Sequence, residues 1–334
     1  MVNNDMPLRE IRSCFVTGGT GFIGSHLVEF LLSRDTQVRC LVRDTGRSGW
    51  LKGLPVDLVK GDLGSRNALE EGAAGVDAVF HLAGAVAAVN RDEYFNVNAK
   101  GCRNLAEATL RANRSVKTFI YVSSIAAAGP SRPGSAVSED GEPHPVSHYG
   151  RSKLEGERLL ASFEGLPLVI VRPSGVYGPR DSMGLTFFKI GMRGLLPLFN
   201  AAADISLINV HDLVRGIVLA ARKRRIGAIY NLADETTVKA AELPDIIGRA
   251  LGVKVRSVPL PACFLWAAAL PMEVKGRLTG RMPNLNLQKV RELTASGWVC
   301  STQKAAQELA FRTEVKIEDG FEEVARWYRE HGWL

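Results

Sequence analysis

The sequence predicts an α/β fold, a doubly wound parallel sheet followed by a smaller C-terminal α+β lobe. First, short apolar runs alternate with segments of helical periodicity from residue 13 onward, which is typical of a parallel sheet with helices on both faces. Second, this rhythm changes after Pro173, where the turn-rich residues 175–179 begin. Third, a length of 334 residues suits one large domain or two smaller ones.

Each strand is predicted from a short run rich in β-branched and aromatic residues. The predicted strands of the first half are 13–17, 37–42, 56–60, 78–82, 118–123 and 168–171, with helices at 22–32 and 99–111. The second half mixes predicted helices at 210–222, 240–251 and 317–328 with strands at 229–232 and 253–258. The last helix places Phe321, Val324 and Tyr328 on one face. We assign residues 1–174 to the sheet domain, with parts of 201–232 returning to it, and 175–334 mainly to the second lobe.

Composition excludes several classes of protein. The 42 Lys and Arg residues exceed the 35 Asp and Glu residues by only seven, and the basic cluster at 222–225 is expected to be a solvated helix end. Five cysteines without CxxC spacing predict reduced thiols and no metal site. The mild net charge and this short basic cluster predict no nucleic-acid partner. The polar first 12 residues and the absence of a long apolar stretch predict a cytoplasmic protein. The excess positive charge leaves a peripheral membrane contact open.

A glycine-rich loop separates the first predicted strand from the first helix. Residues 17–24 read TGGTGFIG, which gives Gly18, Gly21 and Gly24 the spacing GxxGxxG. Glycines at this spacing allow a tight turn and a close approach of the backbone to a pyrophosphate, which then lies on the free N–H groups of the helix. The loop predicts a Rossmann-type dinucleotide-binding domain.

The end of the second predicted strand bears on the choice of cofactor. Arg43 lies there, with Arg47 just beyond, and an arginine at this position pairs with the 2′-phosphate of NADP(H). NADP(H) is therefore favoured. Asp44 keeps NAD(H) as the alternative, because its carboxylate is able to accept hydrogen bonds from a ribose. Asp62, after the third strand, is expected either beside the adenine or as a cap of the helix that begins near Ser65.

Candidate catalytic residues follow the fifth predicted strand. Ser124 ends that strand, and Tyr149 and Lys153 form a YxxxK pattern at the start of a helix. Residues four apart share a helix face, and the positive charge of a lysine lowers the pKa of a nearby phenol. Tyr149 would then act as general acid or base toward an alcohol or carbonyl, with Ser124 holding the reacting oxygen. His81 is expected to be a packed histidine.

These motifs together resemble the extended short-chain dehydrogenase/reductase family, and the resemblance covers most of the chain. The matching segments are TGGTGFIG (17–24), Asp62-Leu63, HLAG (81–84), Asn98 within VNAKGCRNL, YVSS (121–124), YGRSK (149–153) and RPSGVYGP (172–179). The segment VRCLVRD is similar to that of NADP-dependent dihydroflavonol-reductase-like members, which supports Arg43 as the phosphate partner. The C-terminal part resembles 3β-hydroxysteroid dehydrogenase-like, sterol-4-carboxylate-dehydrogenase-like and hopanoid-associated epimerase-like members.

The resemblance implies a role for each matching residue. Gly18, Gly21 and Gly24 would line the pyrophosphate with Phe22 and Ile23 beside it, Asp62 and Leu63 would flank the adenine, Ala83 and Gly84 would lie along the cofactor, and Pro173 and Ser174 would lie near the nicotinamide. Ser124, Tyr149 and Lys153 would form the catalytic triad with Asn98 in support, and Tyr149 and Lys153 would also contact the cofactor. Family members often form homodimers through the helices corresponding to 99–111 and 149–163. One departure is Gly101-Cys102, where the family has glycine and threonine.

The substrate is predicted less directly. Bulky apolar residues accumulate in the second half, namely Phe187, Phe188, Met192, Leu195, Leu196, Leu198, Phe199, Phe264, Leu265 and Trp266. They are expected either in the core or in an apolar cleft, or on a membrane-docking surface flanked by Lys275 and Arg277. For a nucleotide sugar, Arg180, Arg193 and Arg215 are the available pyrophosphate anchors.

The favoured function is an NAD(P)-dependent dehydrogenase/reductase acting on a hydrophobic alcohol or ketone. A substrate of sterol or related polycyclic type is expected, with decarboxylation following if it carries a 4-carboxylate. The alternatives are a nucleotide-sugar epimerase or dehydratase, and an NADP(H)-binding redox sensor without turnover. The sensor has no use for an intact Ser124, Tyr149 and Lys153.

Overall fold

The computed structural model of the chain describes residues 11–280, 283 and 285–334. The strands are β1 (Ser13–Thr17), β2 (Gln37–Val42), β3 (Asp57–Lys60), β4 (Ala78–His81), β5 (Thr118–Val122), β6 (Leu168–Pro173), β7 (Gly175–Tyr177), β8 (Leu195–Leu198), β9 (Asp204–Asn209), β10 (Ile229–Leu232), β11 (Thr237–Lys239) and β12 (Arg256–Pro259). The α-helices are α1 (Phe22–Leu32), α2 (Arg66–Ala73), α3 (Arg91–Phe95), α4 (Gly101–Ala112), α5 (Ile125–Ala128), α6 (His148–Ala161), α7 (Leu185–Gly191), α8 (Val210–Lys223), α9 (Leu243–Leu251), α10 (Ala262–Thr279), α11 (Leu287–Leu293), α12 (Gln303–Leu309) and α13 (Ile317–Glu330).

Within the described residues, seven strands form one parallel sheet in the order β3-β2-β1-β4-β5-β6-β10. This confirms the predicted doubly wound sheet. The chain proceeds outward from β1 to β3 in one direction and from β4 to β10 in the other. The direction reverses between β1 and β4, where the carboxyl ends of the strands open a crevice, the usual ligand site of such sheets.

Both faces of the sheet are covered, as the predicted alternation of strands and helices requires. On β1, Cys14 and Val16 belong to a core that includes Leu27 of α1 and Leu213 of α8. Phe15 belongs to the opposite core, together with residues of α2 and α4. Successive side chains of a strand point to opposite faces, so a strand that is apolar throughout is suited to a sheet buried on both sides.

The second lobe has its own small sheets and core. In the described part of the chain β7, β9 and β11 form one sheet, and β8 pairs with β12 in another. Its core unites Tyr177 with Phe321, Val324 and Tyr328 of α13, so the predicted buried face of the last helix is confirmed. The segment 201–232 is divided, because β9 joins the lobe whereas α8 packs on the main sheet and β10 completes it.

The predicted apolar run of the second half is divided between interior and surface. Phe188, Leu196 and Leu198 are buried, whereas Phe187, Met192 and Leu195 are exposed, as are Phe264 and Trp266 of α10. Four cysteines are buried, as expected for reduced thiols, but Cys263 is exposed on α10. None of the helices within the described ranges is long and apolar enough to cross a membrane.

Candidate active site

The glycine loop between β1 and α1 lies so close to neighbouring backbone that two of its positions have no room for a side chain. Gly18 has φ of +79°, and a Cβ at this position would lie 2.6 Å from the amide nitrogen of Ala83. A Cβ at Gly24 would lie 2.1 Å from the carbonyl oxygen of Gly18. Gly21 precedes the first turn of α1, and no side chain caps this helix. The free N–H groups of the first turn therefore suit a phosphate, and the loop fits the predicted dinucleotide. Phe22 and Ile23 begin the helix beside it.

The ends of β2 and β3 place two acidic side chains in local turns. Asp44 Oδ1 accepts a hydrogen bond of 2.9 Å from the Gly46 amide. Asp62 Oδ1 accepts hydrogen bonds from the Ser65 hydroxyl and the Gly64 amide, and these, with the charge of Arg43, lower the pKa of Asp62. Asp62 thus stabilises the turn before α2, but no side chain caps this helix, so the expected cap is absent. Arg43 follows β2 directly and is exposed, so this strand end presents a cation.

Leu63, which follows Asp62, packs against helix α4. A Cβ on Gly101 would lie 2.6 Å from Leu63 Cδ1, so the Leu63 side chain fits against α4 only because residue 101 is a glycine. Asn104 also donates a hydrogen bond of 2.7 Å from Nδ2 to the Leu63 carbonyl. Leu63 is therefore held by α4 at the edge of the crevice.

Asn98 joins the loop after β4 to the helix that carries the predicted tyrosine and lysine. It lies in a π-helical turn, Asn96–Lys100, a distortion that is frequent at functional sites. Its Oδ1 accepts from the Ala85 amide at 2.7 Å, and its Nδ2 donates to Ser152 Oγ at 2.9 Å. A Cβ on Gly84 would lie 3.1 Å from Asn98 Oδ1 and 3.7 Å from Lys153 Nζ. A side chain at Gly84 would therefore crowd this junction.

The structure brings together the three predicted catalytic residues at the carboxyl end of β5. Ser124 caps the short helix α5, where its Oγ accepts a hydrogen bond of 3.1 Å from the Ala126 amide. The same hydroxyl lies beside the phenol of Tyr149 on α6, close enough to lower the pKa of that phenol. Lys153, one turn further along α6, donates a hydrogen bond of 2.7 Å from Nζ to the Val122 carbonyl. The arrangement suits proton exchange with a substrate oxygen held at the end of β5.

The ionisation of this group differs from the expectation. Burial raises the pKa of Tyr149 to about 12, against the opposing effect of the hydrogen bond from Ser124. The YxxxK spacing predicts a lowered value. The reason for the difference is that Lys153 is buried and that its Nζ is bound to the Val122 carbonyl. Burial also lowers the pKa of Lys153 to about 8.

His81 is a packed residue, as predicted. Its Nδ1 lies 2.7 Å from the Thr17 hydroxyl, and its ring stacks on Tyr121 with centroids 5.4 Å apart. Burial lowers the pKa of His81 to about 3. The imidazole is therefore neutral at physiological pH and ties β1 to β4 beneath the crevice.

The end of β6 contributes a polar atom that is unsatisfied within the described structure. Ser174 follows Pro173, and its amide donates a hydrogen bond of 3.0 Å to the Leu232 carbonyl. Among the described residues, its buried Oγ has no hydrogen-bond partner. A buried hydroxyl without a partner is uncommon. At the carboxyl end of β6 it fits the predicted contact with a polar cofactor group.

Sequence reasoning missed the residues that hold this site in place. Glu157 is buried between Arg172 and Ser123, with Oε2 2.6 Å from Arg172 Nη2 and Oε1 2.5 Å from Ser123 Oγ. Its position one turn after Lys153 was the available signal. Glu292 of α11 accepts a hydrogen bond of 2.7 Å from the hydroxyl of Ser147, which caps α6. These two residues are 145 apart in the chain, and no sequence pattern links them.

Comparison with known proteins agrees with this geometry. The chain is similar to a ceramide reductase from Caulobacter vibrioides, with 31% identity over 322 residues that cover 96% of this chain and 95% of the relative. It is also similar to sterol demethylase protein B from Methylococcus capsulatus, with 27% identity over 336 residues that cover 96% of this chain and 99% of the relative.

Two solved structures extend the comparison to the fold. The crystal structure of gox2253 has a TM-score of 0.78 and 28% identity, covering 97% of this chain and 99% of that one. A double mutant of DesIV, a dTDP-glucose 4,6-dehydratase from Streptomyces venezuelae solved with NAD bound, has a TM-score of 0.77 and 25% identity, covering 96% and 98%.

The family model described as the NAD dependent epimerase/dehydratase family matches residues 14–233. This span runs from β1 to the residue after β10 and so takes in the whole parallel sheet with its crevice. A reductase and a dehydratase are both among the similar proteins, and the dehydratase was solved with NAD bound. The chain therefore belongs to the NAD-dependent epimerase/dehydratase family, that is, to the extended short-chain dehydrogenases/reductases, and is a nicotinamide-dependent oxidoreductase of that family.

Proposed function

We propose that the protein is an NADP(H)-dependent dehydrogenase/reductase that acts on the alcohol or ketone of a hydrophobic lipid, with a sterol or related polycyclic compound as the expected substrate. The observation that carries the proposal is the phenol of Tyr149, which lies beside the Ser124 hydroxyl at the carboxyl end of β5, with Lys153 one turn further along α6. The names of two relatives support a lipid substrate, since one is a ceramide reductase and the other a sterol demethylase protein.

When bound, the nicotinamide cofactor supplies or accepts a hydride at the substrate carbon. In reduction, Tyr149 gives the proton of its phenol to the substrate oxygen, and in oxidation it takes that proton back. Burial raises the pKa of Tyr149 to about 12, so the phenol carries the proton that reduction requires at neutral pH. Ser124 orients the substrate oxygen, and Lys153 and Ser174 would hold the nicotinamide ribose and carboxamide side of the cofactor.

Two of the three arginines predicted as anchors for a nucleotide sugar are already paired within the protein, which supports a lipid substrate instead. Arg180 donates hydrogen bonds to Glu29 Oε1 at 2.7 Å and to Ser25 Oγ at 3.0 Å, which ties it to α1. Arg215 is paired with Asp212 and Glu314. Of the three candidate arginines, these two are thus engaged within the protein. A second pyrophosphate would have to compete with their ion pairs.

The test is the absorbance of the reduced nicotinamide when the purified protein is mixed with NADPH or NADH and a panel of ketones. We expect NADPH oxidation with 3-ketosteroids or long-chain ketolipids and none with UDP- or dTDP-linked sugars. Conversion of a nucleotide sugar without net oxidation of the cofactor would instead assign the protein to the epimerases and dehydratases. Tight NADPH binding with no turnover of either class would indicate the redox sensor.

A further inference from the structure

Helix α10 is apolar on nearly every side, yet only a narrow stripe of it is covered. Its buried residues are Leu265, Ala269, Glu273 and Gly276, which lie on one face at helical spacing. Leu265 and Ala269 pack with Val290 of α11. A helix that is hydrophobic all round is normally buried all round. The remainder of α10 is therefore unusual for a surface helix in water.

The side of α10 that faces away from the protein carries large apolar residues. Of the fourteen large apolar side chains exposed in the described part of the chain, six belong to this helix of 18 residues. Leu270, Val274 and Leu278 are 56%, 51% and 83% exposed, and their spacing of four places them in one stripe. We call these three residues the outer stripe. Clusters of this kind on soluble proteins mark contact surfaces.

The charges around the outer stripe have a single sign. Lys275 and Arg277 are exposed, and helical geometry places one on each side of the stripe. The acid of segment 252–280 is Glu273, which is buried, accepts from the Leu287 amide at 2.9 Å and pairs with Arg277. The helix therefore presents apolar side chains and cations to its surroundings, without an exposed carboxylate.

We propose that α10 is a peripheral membrane anchor that lies in the headgroup region of an anionic lipid bilayer. The outer stripe would enter the acyl boundary, with Lys275 extended toward lipid phosphates and Arg277 beside it, held by its ion pair with Glu273, as in other interfacial helices. Trp266, which is also exposed, is the residue type enriched at this depth. A second copy of the chain fits less well, because symmetric pairing of this surface brings like cations together.

The anchor is connected to the active site through α11. The amide of Leu287 at the start of α11 donates to Glu273 of α10, and Glu292 near its end accepts from Ser147. Gln288 of α11 accepts a hydrogen bond of 2.9 Å from the His148 amide, directly before Tyr149. A bilayer at α10 would thus lie beside the residues that begin the catalytic helix. The inference deepens the proposed function, on which it rests, because a lipid substrate would be dissolved in the bilayer that α10 contacts.

Co-sedimentation of the full chain with phosphatidylcholine vesicles, with and without phosphatidylglycerol, tests the anchor. We expect binding to the anionic vesicles that weakens with added salt. The triple variant Leu270→Gln, Val274→Gln and Leu278→Gln should bind roughly 100-fold more weakly. Lys275→Gln should lose about fivefold. Ile226→Gln is the matched control, because Ile226 is an exposed apolar residue beside the basic cluster 222–225 and lies outside α10, in the turn before β10. Vesicle binding by this variant should be unchanged.

Two further measurements separate the anchor from folding and from catalysis. The triple variant should keep the melting temperature and the NADPH-dependent reduction of a short water-soluble ketone, since its three positions are exposed and outside the site. Vesicle binding by the triple variant equal to that of the unaltered protein would overturn the anchor. A change from dimer to monomer in that variant, without vesicle binding by the unaltered protein, would overturn it in favour of self-association. Anionic vesicle binding by a protein that reduces no ketone would leave the anchor standing and remove the proposed function.

Discussion

The cofactor half and the second lobe use different means to hold their functional groups. In the cofactor half, backbone approaches so closely at Gly18 and Gly24 that a Cβ would collide with another main-chain atom. The catalytic helix is tied to the sheet by Arg172 and Glu157, whose side chains are 2% and 4% exposed. In the second lobe, the pair Arg312–Glu235 is 73% and 49% exposed, and α10 rests on one narrow stripe. The cofactor half, which we call the rigid half, thus relies on close backbone packing and a buried ion pair, whereas the second lobe, which we call the open lobe, has an exposed ion pair and a helix that is covered on one side.

The largest expected effect tests whether the rigid half carries the chemistry. Tyr149→Phe removes the proton that the substrate oxygen exchanges, so kcat should fall roughly 1000-fold while NADPH affinity stays unchanged. Single-turnover kinetics and cofactor titration measure the two quantities. Tyr94→Phe is the matched control, since its ring lies 6.4 Å from that of Tyr149 and loses the same atom. Equal activity in the two variants would remove Tyr149 from the mechanism.

The next effect compares the two kinds of ion pair. Glu157→Gln leaves Arg172 buried without its counter-charge, and we expect a loss of roughly 3–5 kcal/mol in the free energy of unfolding. Glu235→Gln breaks an exposed pair in the second lobe and should cost about 1 kcal/mol or less. Urea denaturation of both variants gives the comparison. Similar losses would mean that the halves do not differ in the way the burial of these pairs indicates.

The sequence predicts the rigid half well and the open lobe poorly, for physical reasons. The glycine spacing of 17–24 and the YxxxK pattern each lie within a short segment. Close backbone approach requires glycine in the first, and helical geometry places the tyrosine and the lysine on one face in the second. Phe187 and Phe188 are adjacent and chemically identical, yet one is exposed and the other buried, because the distinction depends on α9 and α13 packing beside them. The apolar sequence of α10 likewise suits a core helix equally well. Only the tertiary arrangement shows which sides are covered.

The junction between the two regions should be sensitive to acid. His26 of α1 lies with Nε2 2.9 Å from the Pro179 carbonyl and its ring against His211. Burial, with the nearby cations, lowers the pKa of His26 to about 4 from 6.5. Between pH 4 and 6.5, His26 is therefore protonated in the unfolded chain but neutral in the folded protein. The free energy of unfolding should decrease as the pH falls through this range.

Replacement of His26 by glutamine should remove that pH dependence. Between pH 6.5 and 4, the unaltered protein should lose about 2–3 kcal/mol more unfolding free energy than His26→Gln. Denaturation at a series of pH values measures the difference. Parallel stability curves for the two proteins would show that the junction does not exclude the proton.

The smallest effect concerns the exposed end of the rigid half, where the choice of cofactor is made. Arg43→Ala should weaken NADPH binding roughly 10-fold and leave NADH nearly unchanged, because a charge-assisted bond to a 2′-phosphate is lost only with NADPH. Arg47→Ala is the control, since the Arg47 guanidinium pairs weakly with Asp44 at 3.8 Å and is 90% exposed. Cofactor titration by fluorescence gives both affinities. Equal losses for NADPH and NADH would instead point to Asp44, whose Oδ1 accepts from the Gly46 amide and whose Oδ2 would be the acceptor for a ribose hydroxyl.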